Sequence, residues 1–308
     1  MNRHLARTAV VLAAVLAVPL APIPAAADAV TWTVQPATDK GPDERRWIER
    51  TLDPGQVVTE HMAVRNLGKT PTVFALTAAD GYLTDKGRFN MLPADQPSKD
   101  GGTWIAVRRD VTVGPNETLV VPFTITVPKD AAPGDHPAGI AASVLSSSGT
   151  VAVDSRVGFR VMMRASGAVK PAVTADRLTV RYERSWNPLR SGTVHIGYST
   201  TNTGNVHVTP HAEAEVSELF GANTRARPVG SGELLPGGSR ADTAAVGGVW
   251  ALGRVKTSVT VTDAGPPVTV AVTSWLLPWP QLVVVAALLL LWRLHRLLLN
   301  RARLEGPK

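Results

Sequence analysis

Between about residues 28 and 274, apolar side chains recur at every second position, and this alternation restricts the chain to a largely β fold. Residues 119–127 and 157–165 show the pattern most clearly, because apolar residues occupy one face of each predicted strand. These residues are Leu119, Val121, Phe123, Ile125 and Val127 in the first strand and Val157, Phe159, Val161 and Met163 in the second. One apolar and one more polar face is typical of half-buried strands in a β-sandwich.

Turn-forming residues separate the predicted strands and divide the region into two halves. The combination Asn-x-Gly occurs in each half, at Asn66-Leu67-Gly68 and at Asn202-Thr203-Gly204. Pro171 follows the second strand described above, and a proline interrupts a β ladder because it has no N–H. We therefore predict an all-β fold with two immunoglobulin-like β-sandwich domains in tandem, at residues 28–167 and 168–264.

A charge-free segment follows the second domain. Residues 275–292 contain no charged side chain and lead directly into arginines. A helix needs about 20 apolar residues to cross a bilayer, so the span must extend on both sides of this segment. We predict a transmembrane helix at 276–299 and a basic cytoplasmic tail at 300–308. The flanking residues expected in the membrane interfaces are Trp275, Trp279, Trp292, Arg293 and Arg296.

Residues 265–275 are predicted as a stalk between the second domain and the helix. The alternation of Val268, Val270 and Val272 leaves a last strand open as the alternative.

Residues 1–27 have the features of a secretory signal peptide. A basic start at Arg3 and Arg7 precedes an apolar run, and three alanines at 25–27 suit a cleavage site. With the C-terminal helix, this segment predicts a single-pass type I membrane protein whose β domains lie outside the cell, in the cell-wall layer.

The formal net charge of +7 is typical of a nucleic-acid-binding protein only if it lies on the folded domains. Most of the excess belongs to residues 1–27 and 293–308, and the segment between them is nearly neutral. We therefore predict no nucleic-acid partner.

The residue inventory also limits the chemistry. The chain has no cysteine, which excludes disulfides, thiolate metal sites and cysteine nucleophiles. It has no phosphate-binding loop, nucleophile elbow or dinucleotide fingerprint, so we predict no enzymatic activity and no cofactor. His195, His207 and His211 are close in sequence, but Pro210 argues against a helical pair, and we predict no metal site.

Two groups of residues are candidates for ligand binding. The long polar segment 80–102 contains Tyr82, Arg88, Phe89 and Asn90, which with Trp104 provide aromatic faces and hydrogen-bonding groups for a saccharide. The alternative is that Phe89 and Met91 fold the segment back onto the sandwich and that the tryptophans are core residues.

The second candidate group is a row of three arginines. Arg156, Arg160 and Arg164 share one face of a predicted strand, where they form either a site for anionic wall polymers or an ordinary solvated basic face.

Residues 30–165 resemble the peptidoglycan-binding domain of WxL-interacting proteins, which occur on Gram-positive cell surfaces. The segments that carry the resemblance are Trp32-Thr33-Val34-Gln35-Pro36, Leu52-Asp53-Pro54-Gly55, Val64-Arg65-Asn66, the stretch 74–80, Trp104-Ile105, Val127-Pro128 and Pro133-Gly134-Asp135-His136-Pro137-Ala138-Gly139-Ile140. The resemblance implies an extracellular β-sandwich that contacts peptidoglycan or another wall polymer and partners other surface proteins.

The sequence thus predicts a non-catalytic, membrane-anchored cell-surface protein that binds peptidoglycan, another wall polymer or a secreted surface protein. The alternative is an accessory or chaperone-like subunit that holds a protein partner by adding a strand to an exposed sheet edge.

Overall fold

The computed structural model describes residues 30–148, 151–230, 232–263 and 265–304; the predicted signal peptide lies outside this range. The elements are β1 Trp32–Thr38, β2 Gly41–Pro42, β3 Ile48–Leu52, β4 Val57–Asn66, β5 Thr72–Leu83, β6 Phe89–Met91, β7 Ile105–Val107, β8 Asp110–Val113, β9 Thr118–Thr126, β10 Gly134–Ser148, β11 Val151–Ala165, β12 Val173–Glu183, β13 Gly192–Asn202, β14 His211–Glu218, β15 Asn223–Val229, β16 Ser239–Val249, β17 Gly253–Thr262, β18 Val268–Leu276 and α1 Trp279–Leu304.

The strands form four sheets that stack as two sandwiches. In the first domain, one sheet has the order β2-β1-β4-β9-β7, and the other has the order β3-β11-β10-β5-β6, with β8 paired to β5. In the second domain, the sheets are β12-β13-β16 and β15-β14-β17-β18. The all-β fold with two immunoglobulin-like domains, predicted from the alternation, is confirmed.

The two domains repeat one strand order. The neighbours β1-β4-β9 correspond to β12-β13-β16, and the neighbours β8-β5-β10-β11 correspond to β15-β14-β17-β18. Both Asn-x-Gly turns follow the same strand of this order, and each places its asparagine in the interior. Asn66 Nδ2 donates to the carbonyls of Thr70 and Val113, at 2.8 and 3.1 Å, and Asn202 makes the same pair of bonds to Val206 and Leu234 at 2.8 and 3.0 Å.

Each sandwich closes over its own apolar core. The first core includes the fully buried Phe74, Phe123, Ile125 and Met163, and the predicted inward face of residues 119–127 supplies part of it. The second core is built around Val194, Ile196, Val246 and Val259. Seven residues separate the last strand of the first domain from the first strand of the second.

The predicted stalk is wrong over most of its length. Strand β18 pairs along β17 from Val261↔Val268 to Gly253↔Leu276, so the valine alternation reflects a last strand. Helix α1 begins two residues after β18 and contains a segment, Trp279–Asn300, that is long and apolar enough to cross a membrane. Trp292, Arg293 and Arg296 lie within α1, and the Arg296 guanidinium lies 4.5 Å from the Trp292 ring centroid.

Candidate functional site

The two domains meet at Asp135, the second residue of β10. Its side chain is 2% exposed and forms an ion pair with Arg164 of β11, whose Nε and Nη2 donate at 2.5 and 2.9 Å. From the second domain, His207 donates to the same carboxylate through its backbone amide at 2.7 Å and through Nδ1 at 2.6 Å. One carboxylate of the first domain therefore holds a loop of the second.

The charges of this junction shift two pKa values. Burial alone raises the pKa of the Asp135 carboxyl, but the hydrogen bonds from His207 and Arg164 outweigh it and hold that pKa far below its ordinary value. The bond to Asp135 is also the main reason that the pKa of His207 is raised. Both shifts favour a charged pair across the junction.

Asn205 is a second connection between the domains. Its Nδ2 donates to the carbonyls of Pro133 in the first domain and Ala168 in the linker, at 2.7 and 2.8 Å. Its Oδ1 accepts from the Lys170 amide at 2.7 Å, and its own carbonyl accepts from the Asp135 amide at 2.7 Å. The turn after β13 is thus attached to both the first domain and the linker.

Arg160 forms a third connection. Its Nη1 donates to Glu233 of the second domain at 2.8 Å. The guanidinium also lies 5.3 Å from the ring centroid of Trp47 and 5.7 Å from that of Phe89, within the range of cation–π attraction. The loop before β16 is therefore joined to the outer face of β11.

Beside these contacts lies a cleft of about 370 Å³ between the domains. The first domain contributes residues 81–84 of β5 and its following turn, with Asp80, Asp100, Asp135 and Pro137. The second domain contributes residues 233–240, which lead into β16. Each wall of the cleft is therefore made largely of strand ends and turns, with a high proportion of backbone groups.

Pro137 explains why β5 reaches the cleft with one side unpaired. The ladder between β5 and β10 ends at Asp80↔Ala138, next to Pro137, which has no N–H to continue it. Residues 81–83 instead pair with β6, and the Thr84 amide donates to the Arg88 carbonyl on that same side at 2.9 Å. Because successive amides of a strand point in opposite directions, the Leu83 amide points away from β6, and Leu83 lines the cleft.

The hairpin of β5 and β6 carries four of the predicted ligand residues. Tyr82 is 38% exposed and lines the cleft, and Asn90 Nδ2 donates to its hydroxyl at 3.2 Å. Arg88 is exposed near the tip of the hairpin. Phe89 is half-buried under Arg160, and Met91 lies over Gly139 of β10, so the hairpin folds back onto the sandwich as the alternative interpretation expected.

Trp104 is not available to a ligand. It is 6% exposed, and its ring centroid lies 4.2 Å from that of His136. His136 Nδ1 is 2.5 Å from an Asp100 oxygen; burial lowers the pKa of His136, but this bond and one to the Ala132 carbonyl more than compensate and raise it. Trp104 is therefore a structural residue, because the cluster of ring, imidazole and carboxylate encloses it.

Asp80 fixes the segment that leads to Trp104. Its carboxylate accepts hydrogen bonds from the backbone amides of Lys99 at 2.6 Å, Asp100 at 3.0 Å and Gly102 at 2.7 Å. Asp80 is the last residue of β5 that pairs with β10, and its backbone amide donates to the Ser98 hydroxyl at 3.0 Å. The far end of the long polar segment is thereby tied to β5.

The three arginines do share the outward side of β11, but each makes contacts within the chain. Arg160 pairs with Glu233 and Arg164 with Asp135, while Arg156 Nη1 donates to the Leu92 carbonyl at 3.4 Å. Arg160 and Arg164 are therefore paired at the junction, and a site for anionic polymers on this face stays a prediction.

The three histidines considered as metal ligands have different surroundings. His195 contacts Glu183 at 2.8 Å, His207 contacts Asp135, and His211 is exposed at the start of β14. Within residues 30–148, 151–230, 232–263 and 265–304, no group of three or more metal-ligating side chains occurs.

Sequence reasoning did not identify the junction residues Asp135, His207 and Glu233. Asp135 appeared only within the Pro-Gly-Asp segment that carries the family resemblance, and its partners Arg164 and His207 are 29 and 72 residues away. The excess of turn residues around 133–135 and 202–205 was the available signal, because turns from two domains must meet at a junction.

Comparison with known proteins gives similarity in fold. No family model and no curated protein matches the chain. A structure of Salmonella enterica SafA pilin in complex with the SafB chaperone matches at 9% identity, 80% coverage of this chain, 99% of that chain and a TM-score of 0.37. The Pseudomonas aeruginosa CupB2 chaperone matches at 16% identity, 74% and 97% coverage and a TM-score of 0.30. The Acinetobacter baumannii CsuC-CsuE chaperone–tip adhesion subunit complex matches at 12% identity, with 68% coverage of this chain, 89% coverage of that chain and a TM-score of 0.37.

Proposed function

We propose that the protein is a membrane-anchored, non-catalytic binding protein that holds an extended segment of a protein partner in the cleft between its two β domains. The observation that carries this proposal is the end of the β5–β10 ladder at Pro137, beyond which β5 continues along the cleft. An extended peptide binds such an edge by backbone hydrogen bonds, and pockets for alternate side chains give specificity.

The dimensions of the edge suit a short strand. Residues 81–84 offer about 13 Å of extended backbone, at roughly 3.3 Å per residue. Tyr82 adds an amphipathic ring beside this edge. The contacts of Asp135, Asn205 and Arg160 hold the opposite wall in place, so little ordering is required on binding.

The charges around the cleft favour a neutral backbone over a charged polymer. Asp135 is paired with Arg164 and His207, and Asp100 with His136. On the opposite wall, Glu233 is paired with Arg160, and Arg240 contacts Asp242 at 2.9 Å. A charged ligand would have to displace these partners, whereas a peptide backbone can bind without doing so.

Helix α1 anchors the protein in this proposal. Basic residues follow the apolar part of the helix, and such residues are retained on the cytoplasmic side. The β domains then lie outside the membrane, as the predicted signal peptide requires. Direct binding of peptidoglycan and membership of the WxL-interacting family remain predictions; Tyr82 is the aromatic residue of the predicted saccharide group that lines the cleft.

Site-specific cross-linking on intact cells tests the ligand class. A photoreactive phenylalanine analogue at position 82 is expected to give one dominant protein adduct whose cross-linked residues form an extended segment. The same analogue at Val73, exposed on the other end of β5, is the control and is expected to give no such adduct. Adducts with glycan would instead support peptidoglycan binding, and equal adducts at both positions would reject the cleft.

Two substitutions at one position test the binding mode. Leu83→Pro removes the amide that points away from β6 and is expected to reduce the adduct at least tenfold. Leu83→Ala keeps the amide and is expected to retain most of it. Equal capture by both variants, each checked for a native thermal unfolding transition, rejects strand addition at this edge.

A further inference from the structure

The end of the second domain opposite the cleft exposes large apolar side chains. It consists of the loops 184–191, 219–222 and 250–252 and the segment 275–278, which the strand registers bring together through Gly192↔Val249, Glu218↔Val255 and Gly253↔Leu276. We call this surface the distal end. Five of its side chains are between 75% and 83% exposed: Trp186, Leu189, Phe220, Trp275 and Leu277.

The distal end is next to the start of α1. Strand β18 ends at Leu276 and the helix begins at Trp279, so two residues separate them. From the Cα of Leu276 to that of Trp279, such an extended connection spans at most about 11 Å. If α1 crosses a bilayer, the distal end cannot stand away from the membrane surface.

The loop 184–191 of the distal end contacts the helix. The rings of Trp186 and Trp279 meet edge to face, with centroids 5.8 Å apart and an interplanar angle of 82°. The Arg184 guanidinium lies 5.7 Å from the centroid of the same Trp279 ring. The loop 184–191 therefore lies beside the first turn of the helix.

The turn at 219–222 has a strained backbone that directs an apolar ring outward. Leu219 and Phe220 have φ angles of 49° and 57°, a region that bulky residues rarely occupy. The buried Glu218 holds the turn, because its carboxylate accepts from the amides of Trp250 and Leu252 at 3.2 Å each and from Asn223 Nδ2 at 2.8 Å. Phe220 is 80% exposed, and the Arg254 guanidinium lies 6.0 Å from its ring centroid, so the strained turn presents an aromatic ring and a cation together at the surface.

We infer that the distal end docks into the polar interface of the bilayer that α1 enters, with Trp186, Leu189 and Phe220 among the lipid headgroups. Tryptophan and other aromatic side chains favour this region because one part is apolar and another can hydrogen-bond. The loop 184–191 also carries Arg184 and Arg190, both exposed, and no acidic residue, which suits anionic headgroups. This inference rests on the membrane anchoring in the proposed function, and it adds a second attachment that holds the cleft at a fixed height and orientation.

Depth-dependent quenching tests the inference in the full chain. The protein has no cysteine, so single-cysteine variants can be labelled uniquely with an environment-sensitive fluorophore. Leu189→Cys and Phe220→Cys probe the distal end, and Val169→Cys, 51% exposed in the linker, is the matched control. Leu288→Cys, within α1, reports insertion of the helix. Each variant is reconstituted in vesicles of phosphatidylcholine and phosphatidylglycerol that contain a lipid spin-labelled near the headgroup, which tests positions 189, 220 and 169, or in the middle of an acyl chain, which tests position 288.

We expect the probes at 189 and 220 to be quenched at least threefold more than the probe at 169. If the probe at 288 is quenched but those at 189 and 220 match the control, docking is rejected while the anchor stands. If the probe at 288 is not quenched, the anchor and the docking both fail. Protection of the probes at 189 and 220 from an aqueous quencher without quenching by lipid would show that protein covers the distal end, and would also reject the inference.

Discussion

The Asp135 carboxylate accepts hydrogen bonds from both the backbone amide and the imidazole of His207, at 2.7 and 2.6 Å. These bonds join a strand start in the first domain to the turn after β13 in the second. Because the same carboxylate also binds Arg164 of β11, the position of the second domain depends on an ion pair within the first domain. The two walls of the cleft are therefore held at a defined separation before a partner arrives.

Asp135→Asn is expected to loosen the junction. The amide group keeps the size of the side chain but has one acceptor in place of two, so His207 and Arg164 can no longer both be satisfied. We expect a loss of about 1.5–3 kcal/mol in the free energy of unfolding, the range for hydrogen bonds to charged groups. Urea unfolding measures it. Asp130→Asn, at an exposed position, is the control, and equal losses in the two variants would contradict a role for Asp135 at the junction.

The junction is also expected to depend on pH. The bond to Asp135 raises the pKa of His207 above its ordinary 6.5. The stability that His207 contributes is therefore complete below pH 6.5 and is lost as the pH rises through the raised pKa. The pKa of Asp135 is lowered from 3.8, so its contribution is present above 3.8 and lost as pH falls through the lowered value. The junction should be most stable between about pH 4 and 6.5.

Unfolding of the wild type and of His207→Gln from pH 5 to pH 9 measures this dependence. The wild type should lose its advantage over the variant as pH rises, and parallel curves would contradict the assignment. Burial lowers the pKa of His136, but its bonds to Asp100 and to the Ala132 carbonyl outweigh burial and raise that pKa, so His136→Gln is the control. In a protein that carries His136→Gln, His207 should still stabilise the fold relative to the His207→Gln substitution at low pH and lose this effect as the pH rises.

The alternation of apolar residues was sufficient to predict the sandwiches, because strand periodicity is a local property. Val121, Phe123 and Ile125 face the core as the pattern requires. The Asn-x-Gly turns were also readable, since Asn66 and Asn202 satisfy nearby carbonyls within their own domains. Local chemistry therefore determined most of the fold.

The junction and the loop contacts were not readable because they depend on pairs far apart in sequence. Nothing local distinguishes Asp135 from a turn aspartate. The sequence likewise predicts Trp104 as a ligand residue, because its burial against His136 of β10 depends on a contact distant in sequence. The strand β18 was ambiguous for a related reason: its three alternating valines were equally compatible with an extended stalk until a partner strand, β17, was known.

Gly134→Ala is expected to displace the second domain. Gly134 has a φ of +130°, and a Cβ at this position would clash with the Asn205 carbonyl oxygen. The backbone strain and the clash together should cost about 3 kcal/mol or force the junction open. Gly87→Ala is the matched control, because Gly87 has a φ of +71° but no heavy atom within 4 Å of the added Cβ, and only the strain of about 1 kcal/mol should remain.

Small-angle X-ray scattering distinguishes the two glycine variants. An increased radius of gyration in Gly134→Ala, absent in Gly87→Ala, is the expected result. A native radius and native stability in Gly134→Ala would mean that the contact with Asn205 does not fix the domains.

Asp80→Asn is expected to release the segment that forms the far side of the cleft wall. The carboxylate accepts from the amides of Lys99, Asp100 and Gly102, and an asparagine side chain, with a single acceptor oxygen, cannot keep all three. Loss of one such bond, worth about 1.5 kcal/mol, should lower the hydrogen-exchange protection of these amides roughly tenfold. The amides of β5 itself should remain protected. Asp85→Asn, in the exposed hairpin turn, is the control, and unchanged protection of Lys99 and Gly102 in Asp80→Asn would show that the segment is held by its packing around Trp104.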